Sequence, residues 1–319
     1  MNNILPWQQK NWEQLQQQLN LQRVPHALLL HGPEGTGKGL FASIFAQRLL
    51  CTTPQEDGFS CGSCPSCKLF AAATHPDLIS LKPDEGKSIL AVDQVREMVR
   101  EFAFTPQISA RKVVILQPAE SMNNSAANSL LKTLEEPPGE AVLMLISHAP
   151  ARLLPTIRSR CQQRAFPSPD RTQSLQWLQQ KLEQGMSEEA VLQLAEGAPL
   201  KALALANPEQ IQHHQQMGEE LINLLSGRAD PIRVAIRWSD KKLDPSITLE
   251  WLQQWTTQII KGDTQSPLLN SLASKLQPVD HKQLFLFYDK LTAAIALSHT
   301  PVNKELLFEG ILLDWSRFR

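Results

Sequence analysis

The chain has 319 residues, a formal net charge of -1 and 20% charged residues. These values are typical of a globular protein with two or three domains, and the near-neutral charge argues against a large nucleic-acid-binding face made by this chain alone. The first residues lack the pattern of a signal peptide, and the longest apolar runs are too short to span a bilayer. We therefore expect a cytoplasmic protein without membrane contacts.

The first part of the chain alternates short apolar runs with helical patterns, which predicts an α/β module built on a parallel sheet. From residue 167 onward the pattern is helical, and prolines at 167, 169 and 208 indicate boundaries. We therefore predict three domains, over residues 1–166, 167–207 and 208–319. The predicted strands are Ala27–Leu30, Asp77–Leu81, Lys112–Leu116 and Ala141–Ile146, and the predicted helices between them are Leu40–Leu50, Val92–Phe102 and Ser125–Glu135. In the last domain, Trp238, Trp251, Trp255 and Trp315 are interpreted as core anchors of a helical bundle.

A phosphate-binding loop is predicted directly after the first strand, where the sequence from Gly32 to Lys38 fits G-x-x-x-x-G-K. Its backbone N–H groups and the start of the following helix favour an anion, and the Lys38 ammonium can reach terminal phosphates. ATP or ADP is the expected ligand, and a glycine-rich turn without a ligand is the alternative. The predicted nucleotide-binding residues are Gly32, Gly35, Thr36, Gly37, Lys38 and Gly39.

The residues that would hold magnesium are missing from this predicted site. Gly39 stands where nucleotide hydrolases carry a serine or threonine whose hydroxyl binds Mg²⁺. The third strand is followed by Gln117 and Pro118, where a carboxylate would bind the metal and a glutamate would activate water. Glu120 is the nearest acid, and its side chain would have to point back toward the strand. We therefore expect hydrolysis by this chain to be slow or absent.

Four of the five cysteines form a C-x9-C-x2-C-x2-C pattern in an insertion over residues 51–67. Four thiolates at this spacing predict a closed, structural zinc site, with Cys51, Cys61, Cys64 and Cys67 as ligands. An iron–sulfur cluster and a redox pair are the competing interpretations, and the Cys-Pro ending of the ferredoxin pattern is absent from the sequence.

Several motifs together resemble a known family. They are Pro25–Gly32, Thr74–Asp77, Asn128–Pro138, Leu153–Cys161 and Asn303–Leu307. In combination they are similar to the clamp-loader group of AAA+ proteins, and most closely to the delta-prime family of bacterial DNA polymerase III subunits. The resemblance covers at least residues 1–205.

The resemblance implies a RecA-like AAA+ module with a zinc-binding insertion, a small helical lid and a helical collar domain. It implies that the chain is the stator of a five-subunit ring, together with motor ATPase subunits and the clamp-opening delta subunit. This ring would act on primed DNA as part of a DNA-directed DNA polymerase assembly. In this family the Ser-Arg-Cys motif supplies an arginine finger to the neighbour's ATP, and Arg160 is the matching position. Leu200 replaces the lid arginine of active members, and Ser147 or His148 falls at the polar sensor position.

Two other functions compete with that of a non-hydrolysing subunit. An active AAA+ motor ATPase of the clamp loader is the main alternative, and Gln117 and Pro118 argue against it. A zinc-dependent DNA-binding protein is the second, and the near-neutral charge argues against that one. Some delta-prime subunits have lost the phosphate-loop motif, and the intact loop around Lys38 differs from them. Nucleotide binding by this chain therefore stays an alternative to binding none.

Overall fold

The computed structural model describes residues 4–84, 87, 89–182, 186–195, 197–240, 244–262, 264, 267–276, 280–298, 300 and 302–318. The chain divides into two compact units. The first contains Met1–Gln180 and Gly197–Lys201, and the second contains Lys181–Glu196 and Ala202–Arg319. The predicted three-domain division stays a prediction.

A five-stranded, wholly parallel sheet forms the centre of the first unit, in the order β2-β3-β4-β1-β5. The inner strands β3 and β4 are buried at every residue, as apolar strands covered on both faces should be. This confirms the predicted parallel α/β sheet. The strands are β1 (Ala27–His31), β2 (Leu78–Leu81), β3 (Lys112–Leu116), β4 (Ala141–Ser147) and β5 (Gln162–Ala165).

Helices cover both faces of this sheet. One apolar core includes Met98 and Leu130 against one face, and the other includes Trp12 and Phe45 against the opposite face. Side chains of adjacent residues in β1 enter different cores, because successive strand residues point to opposite faces. The helices are α1 (Gln9–Asn20), α2 (Lys38–Leu50), α3 (Pro65–Ala71), α4 (Val92–Phe102), α5 (Asn124–Glu135), α6 (Pro155–Arg160) and α7 (Arg171–Gln179).

The second unit is all helical in the residues described. Its core contains Trp238, Trp251, Trp255 and Trp315, each at most 3% exposed, which confirms their interpretation as core anchors. Within the described residues no helix is both long and apolar enough to cross a membrane. The helices are α8 (Glu188–Leu194), α10 (Pro208–Leu225), α11 (Pro231–Ser239), α12 (Pro245–Lys261), α13 (Pro267–Leu276), α14 (His281–Ser298) and α15 (Lys304–Ser316), and α9 (Pro199–Ala204) lies between α8 and α10 in the sequence.

Candidate functional site

The phosphate loop connects the end of β1 to the start of α2. Gly35 and Gly37 have φ angles of +75° and +86°, which glycine adopts without the steric cost of a Cβ atom. A Cβ atom on Gly32 would lie 2.1 Å from the carbonyl oxygen of Phe166, so this position also needs glycine. The predicted loop geometry is therefore present, with Lys38 as the first residue of the helix.

The Lys38 side chain lies inside the loop and is 2% exposed. Its ammonium donates to the carbonyl oxygens of Gly32 and Pro33, both at 2.6 Å. Burial lowers the pKa of Lys38 to about 8, although the carboxylates of Glu120 and Glu34 oppose this shift. Lys38 is thus positioned at the phosphate cradle, and the loop carbonyls are among its hydrogen-bond acceptors.

The N-terminal turn holds the loop from outside, a feature that the sequence did not indicate. The Gln8 side chain, fully buried, donates from Nε2 to the carbonyl oxygens of Thr36 and Gly37, both at 3.0 Å. Trp7 Nε1 also donates to the Thr36 carbonyl at 3.0 Å. Because these carbonyls are held on the outer side, the loop conformation is fixed by contacts within the chain.

Leu200, which the resemblance places in a helical lid, lies against the same loop. Its backbone N–H donates to the Gly35 carbonyl at 3.0 Å, and its Cδ1 would lie 3.1 Å from a Cβ atom on Gly37. An apolar side chain therefore stands beside the cradle where the resemblance implies a phosphate-sensing arginine in active members. Leu200 adds no positive charge there.

Gly39 and Gln117 meet at the place where a hydrolase holds its magnesium. A Cβ atom on Gly39 would lie 2.6 Å from Gln117 Oε1, so the two positions are directly adjacent in space. Neither residue supplies a negative charge or a hydroxyl group, which the usual magnesium site requires.

The acid nearest to this site has a different task. Glu120 Oε1 accepts the backbone N–H groups of His148 and Ala149, at 2.8 and 3.2 Å, and so anchors the end of β4. The side chain does point back toward the sheet, and these two backbone N–H groups bind its Oε1 atom there. Ser147, one of the two residues predicted for the polar sensor position, is fully buried at the end of β4.

The four clustered cysteines converge on one point. Their Sγ atoms all lie within 4.8 Å of one another. The Cys51–Cys61, Cys51–Cys64 and Cys61–Cys67 Sγ distances are 3.6, 4.0 and 3.9 Å. Tetrahedral zinc with Zn–S bonds of about 2.3 Å places its sulfur atoms about 3.8 Å apart. The donor set and its spacing therefore fit a metal ion of this type.

Hydrogen bonds to sulfur hold these side chains in position. Backbone N–H groups of Cys61, Cys64 and Cys67 donate to the sulfur of an earlier cysteine, at 3.3 to 3.4 Å. The Thr53 hydroxyl donates to Cys61 Sγ and is the main cause that lowers the pKa of Cys61 to about 5. Burial raises the pKa of Cys67 to about 12. At neutral pH Cys61 is therefore already a thiolate, and a bound cation is what would allow Cys67 to be one as well.

A buried polar cluster ties the cysteine insertion to the sheet. Ser66, between two of the cysteines, has its Oγ 2.8 Å from His75 Nε2 and donates to the Leu50 carbonyl. Asp77 is fully buried and accepts the backbone N–H groups of residues 107, 108 and 109. This explains the Thr74–Asp77 motif in structural terms, because it links the insertion, β2 and the loop before β3.

Arg160 is the last residue of α6, on the surface of the first unit. Its side chain is 35% exposed and forms an ion pair with Glu135 at the end of α5. Arg160 Nη1 also donates to the Thr156 carbonyl at 3.0 Å. The guanidinium is thus accessible and held in one orientation, which an arginine acting on a neighbouring subunit would need. Sequence reasoning missed Glu135 in this arrangement.

Comparisons with known proteins identify the family to which this chain belongs. The model of the family described as "DNA polymerase III, delta subunit" matches residues 7–170. DNA polymerase III subunit delta' of Pseudomonas aeruginosa is 38% identical, over 99% of this chain and 98% of the relative. The subunit of the same name from Escherichia coli K12 is 36% identical, over 97% of this chain and 94% of the relative.

Among solved structures, a DNA polymerase III gamma subunit-related protein of Thermotoga maritima is similar in fold. It has a TM-score of 0.51 at 20% identity, with 97% of this chain and 99% of that chain covered. The sequence identity is too low for this likeness to indicate more than a shared fold. The near-full-length relatives carry the assignment: the chain belongs to the family of DNA polymerase III delta-prime subunits.

Proposed function

We propose that the chain is a cytoplasmic, non-hydrolysing delta-prime subunit of a bacterial DNA polymerase III clamp loader. In this role it is the stator of a hetero-pentamer with motor ATPase subunits and the clamp-opening delta subunit. The complex loads the sliding clamp onto primed DNA during chromosomal replication. Similarity to delta' subunits over nearly the whole chain supports this role.

The contact between Gly39 and Gln117 is the observation that carries the non-hydrolysing part of the proposal. Metal-held charge neutralisation contributes several kcal/mol to barrier lowering in phosphoryl transfer. A glycine and a neutral amide in place of the magnesium ligands remove that contribution. The active motor ATPase is not favoured for the same reason.

The catalytic contribution proposed for this chain is made to its neighbour through Arg160. A guanidinium brought in from another subunit stabilises the charge that develops on the transferred phosphoryl group. The position of Arg160 at the exposed end of α6, with its guanidinium oriented by hydrogen bonds, supports that role.

Two ligands of the chain itself belong to the proposal. Zinc held by Cys51, Cys61, Cys64 and Cys67 would have a structural role, since a four-cysteine shell leaves no open coordination position for chemistry. ATP or ADP would bind the loop through Gly32, Gly35, Thr36, Gly37, Lys38 and Gly39, whose geometry suits phosphate.

Because Lys38 must be charged to attract phosphate, nucleotide affinity should fall as the pH rises through about 8.

The test of this function is reconstitution of the clamp loader with and without the chain. With the partner ATPase subunits, the delta subunit, the clamp and primed DNA present, adding the chain should give DNA-stimulated ATP hydrolysis and clamp loading. Both rates are measured in parallel, so that assembly and chemistry can be separated. Equal rates without the chain would contradict the proposed function.

A further inference from the structure

Glu135 and Arg160 form an ion pair that joins the ends of two packed helices, α5 and α6. Glu135 Oε1 accepts Arg160 Nε at 2.9 Å and Nη2 at 2.5 Å. Arg160 Nη1 donates to the carbonyl oxygen of Thr156, one helical turn earlier. All three guanidinium nitrogens are therefore engaged by this chain.

These contacts still leave donors for an external anion. A guanidinium carries five N–H groups, one on Nε and two on each terminal nitrogen. The contacts with Glu135 and Thr156 use one N–H group of each nitrogen. Ser159 Oγ, at 3.5 Å from Nη1, is too distant to hold a second group firmly. Because the group is planar, the remaining N–H groups of Nη1 and Nη2 project in a fixed direction.

An unrestrained arginine would have to lose considerable rotamer freedom at the moment when it meets the phosphate. The contact with Glu135 removes much of this cost beforehand, since both residues lie at the ends of packed helices. Glu135 is itself 51% exposed, so solvent screens its charge, and its main effect on Arg160 is orientation rather than neutralisation.

We infer that Glu135 is a positioning residue for Arg160, which holds the guanidinium with its free N–H groups directed at the phosphate of the neighbouring subunit. The inference rests on the proposed function, because Glu135 can position Arg160 for catalysis only if Arg160 acts at the ATP site of the neighbouring subunit. It goes beyond that function by naming the residue on which the orientation of Arg160 depends.

The first experiment compares variants in the reconstituted complex with clamp, primed DNA and magnesium ATP. Glu135→Ala should lower kcat for ATP hydrolysis at the served site by roughly two- to tenfold, the cost of ordering one flexible side chain. The KM for ATP and the assembly of the complex should stay unchanged. Glu135→Gln should restore most of the rate, since its amide oxygen still accepts N–H groups. Glu136→Ala, at the adjacent exposed acid, is the matched control and should have no effect.

A double-mutant cycle separates positioning from a general structural role. In the Arg160→Ala background, Glu135→Ala should cause no further loss of kcat. The same fractional loss in both backgrounds would overturn the inference, and so would faster hydrolysis by Glu135→Ala, which would identify Glu135 as a brake. If Glu135→Ala has no effect while Arg160→Ala is impaired, only the positioning role fails. If Arg160→Ala itself is unimpaired, the proposed role of Arg160 fails as well.

Discussion

Replacing Arg160 by alanine is expected to slow ATP hydrolysis at the neighbouring site by about 10³-fold or more, the usual worth of an arginine finger. Steady-state ATP turnover by the whole complex should fall only by the fraction of the total turnover that this site contributes. The reason is electrostatic, since alanine cannot neutralise the charge that develops on the transferred phosphoryl group. Single-turnover hydrolysis in the reconstituted, DNA-bound complex measures the effect directly.

Assembly should survive this substitution. The pair with Glu135 is partly exposed on both sides, and such surface ion pairs contribute about 1 kcal/mol or less to stability. Arg158→Ala, two residues earlier on α6, is the matched control and should retain the rate. Wild-type single-turnover kinetics in the Arg160→Ala complex, with assembly intact, would refute the finger assignment.

Loss of one cluster cysteine should abolish tight zinc binding. We expect one zinc ion per purified chain. Cys61→Ala should weaken the affinity of the chain for zinc by more than about 100-fold, because even the loss of a residue that only hydrogen-bonds to a ligand costs up to about that much. The remaining three sulfur atoms cannot close the tetrahedral shell. A strong chelator should likewise lower the thermal stability of the wild-type chain. Removing the metal would loosen the cysteine insertion, whose Ser66 contacts Leu50 and His75 in the rest of the first unit.

Cys161→Ala provides the control for the zinc measurement. Cys161 is buried in the core under the sheet, apart from the cluster, and burial raises the pKa of its thiol to about 12. This variant should keep its full complement of zinc. Elemental analysis that finds iron in the wild-type chain, or no metal at all, would contradict the zinc assignment.

The apolar strands of the sheet could be predicted from sequence, and the polar one could not. Strand β3 has the predicted bounds, and β4 extends one residue further, to Ser147. β5 was not predicted, because Gln162–Ala165 contains no apolar run. It pairs with β1 along one edge only, and three of its four residues are exposed. Its backbone bonds therefore stabilise it without the hydrophobic pattern that sequence reasoning uses.

The candidate sites also differ in how far they could be predicted from the sequence. The cysteine cluster follows from local spacing, which already brings Cys61, Cys64 and Cys67 together. The adjacency of Gly39 and Gln117 depends on the order of strands in the sheet, which no local pattern specifies. The pair of Glu135 with Arg160 and the contact of Gln8 with the phosphate loop are likewise tertiary, and neither left a periodic signal in the sequence.

ATP turnover by the isolated, purified chain in the presence of magnesium tests the central claim most directly. A phosphate loop whose neighbours Gly39 and Gln117 supply no charged magnesium ligand should give no hydrolysis above background. The wild-type chain and Lys38→Ala should then be indistinguishable. Brisk turnover by the wild-type chain that Lys38→Ala abolishes would show that this subunit is itself a motor.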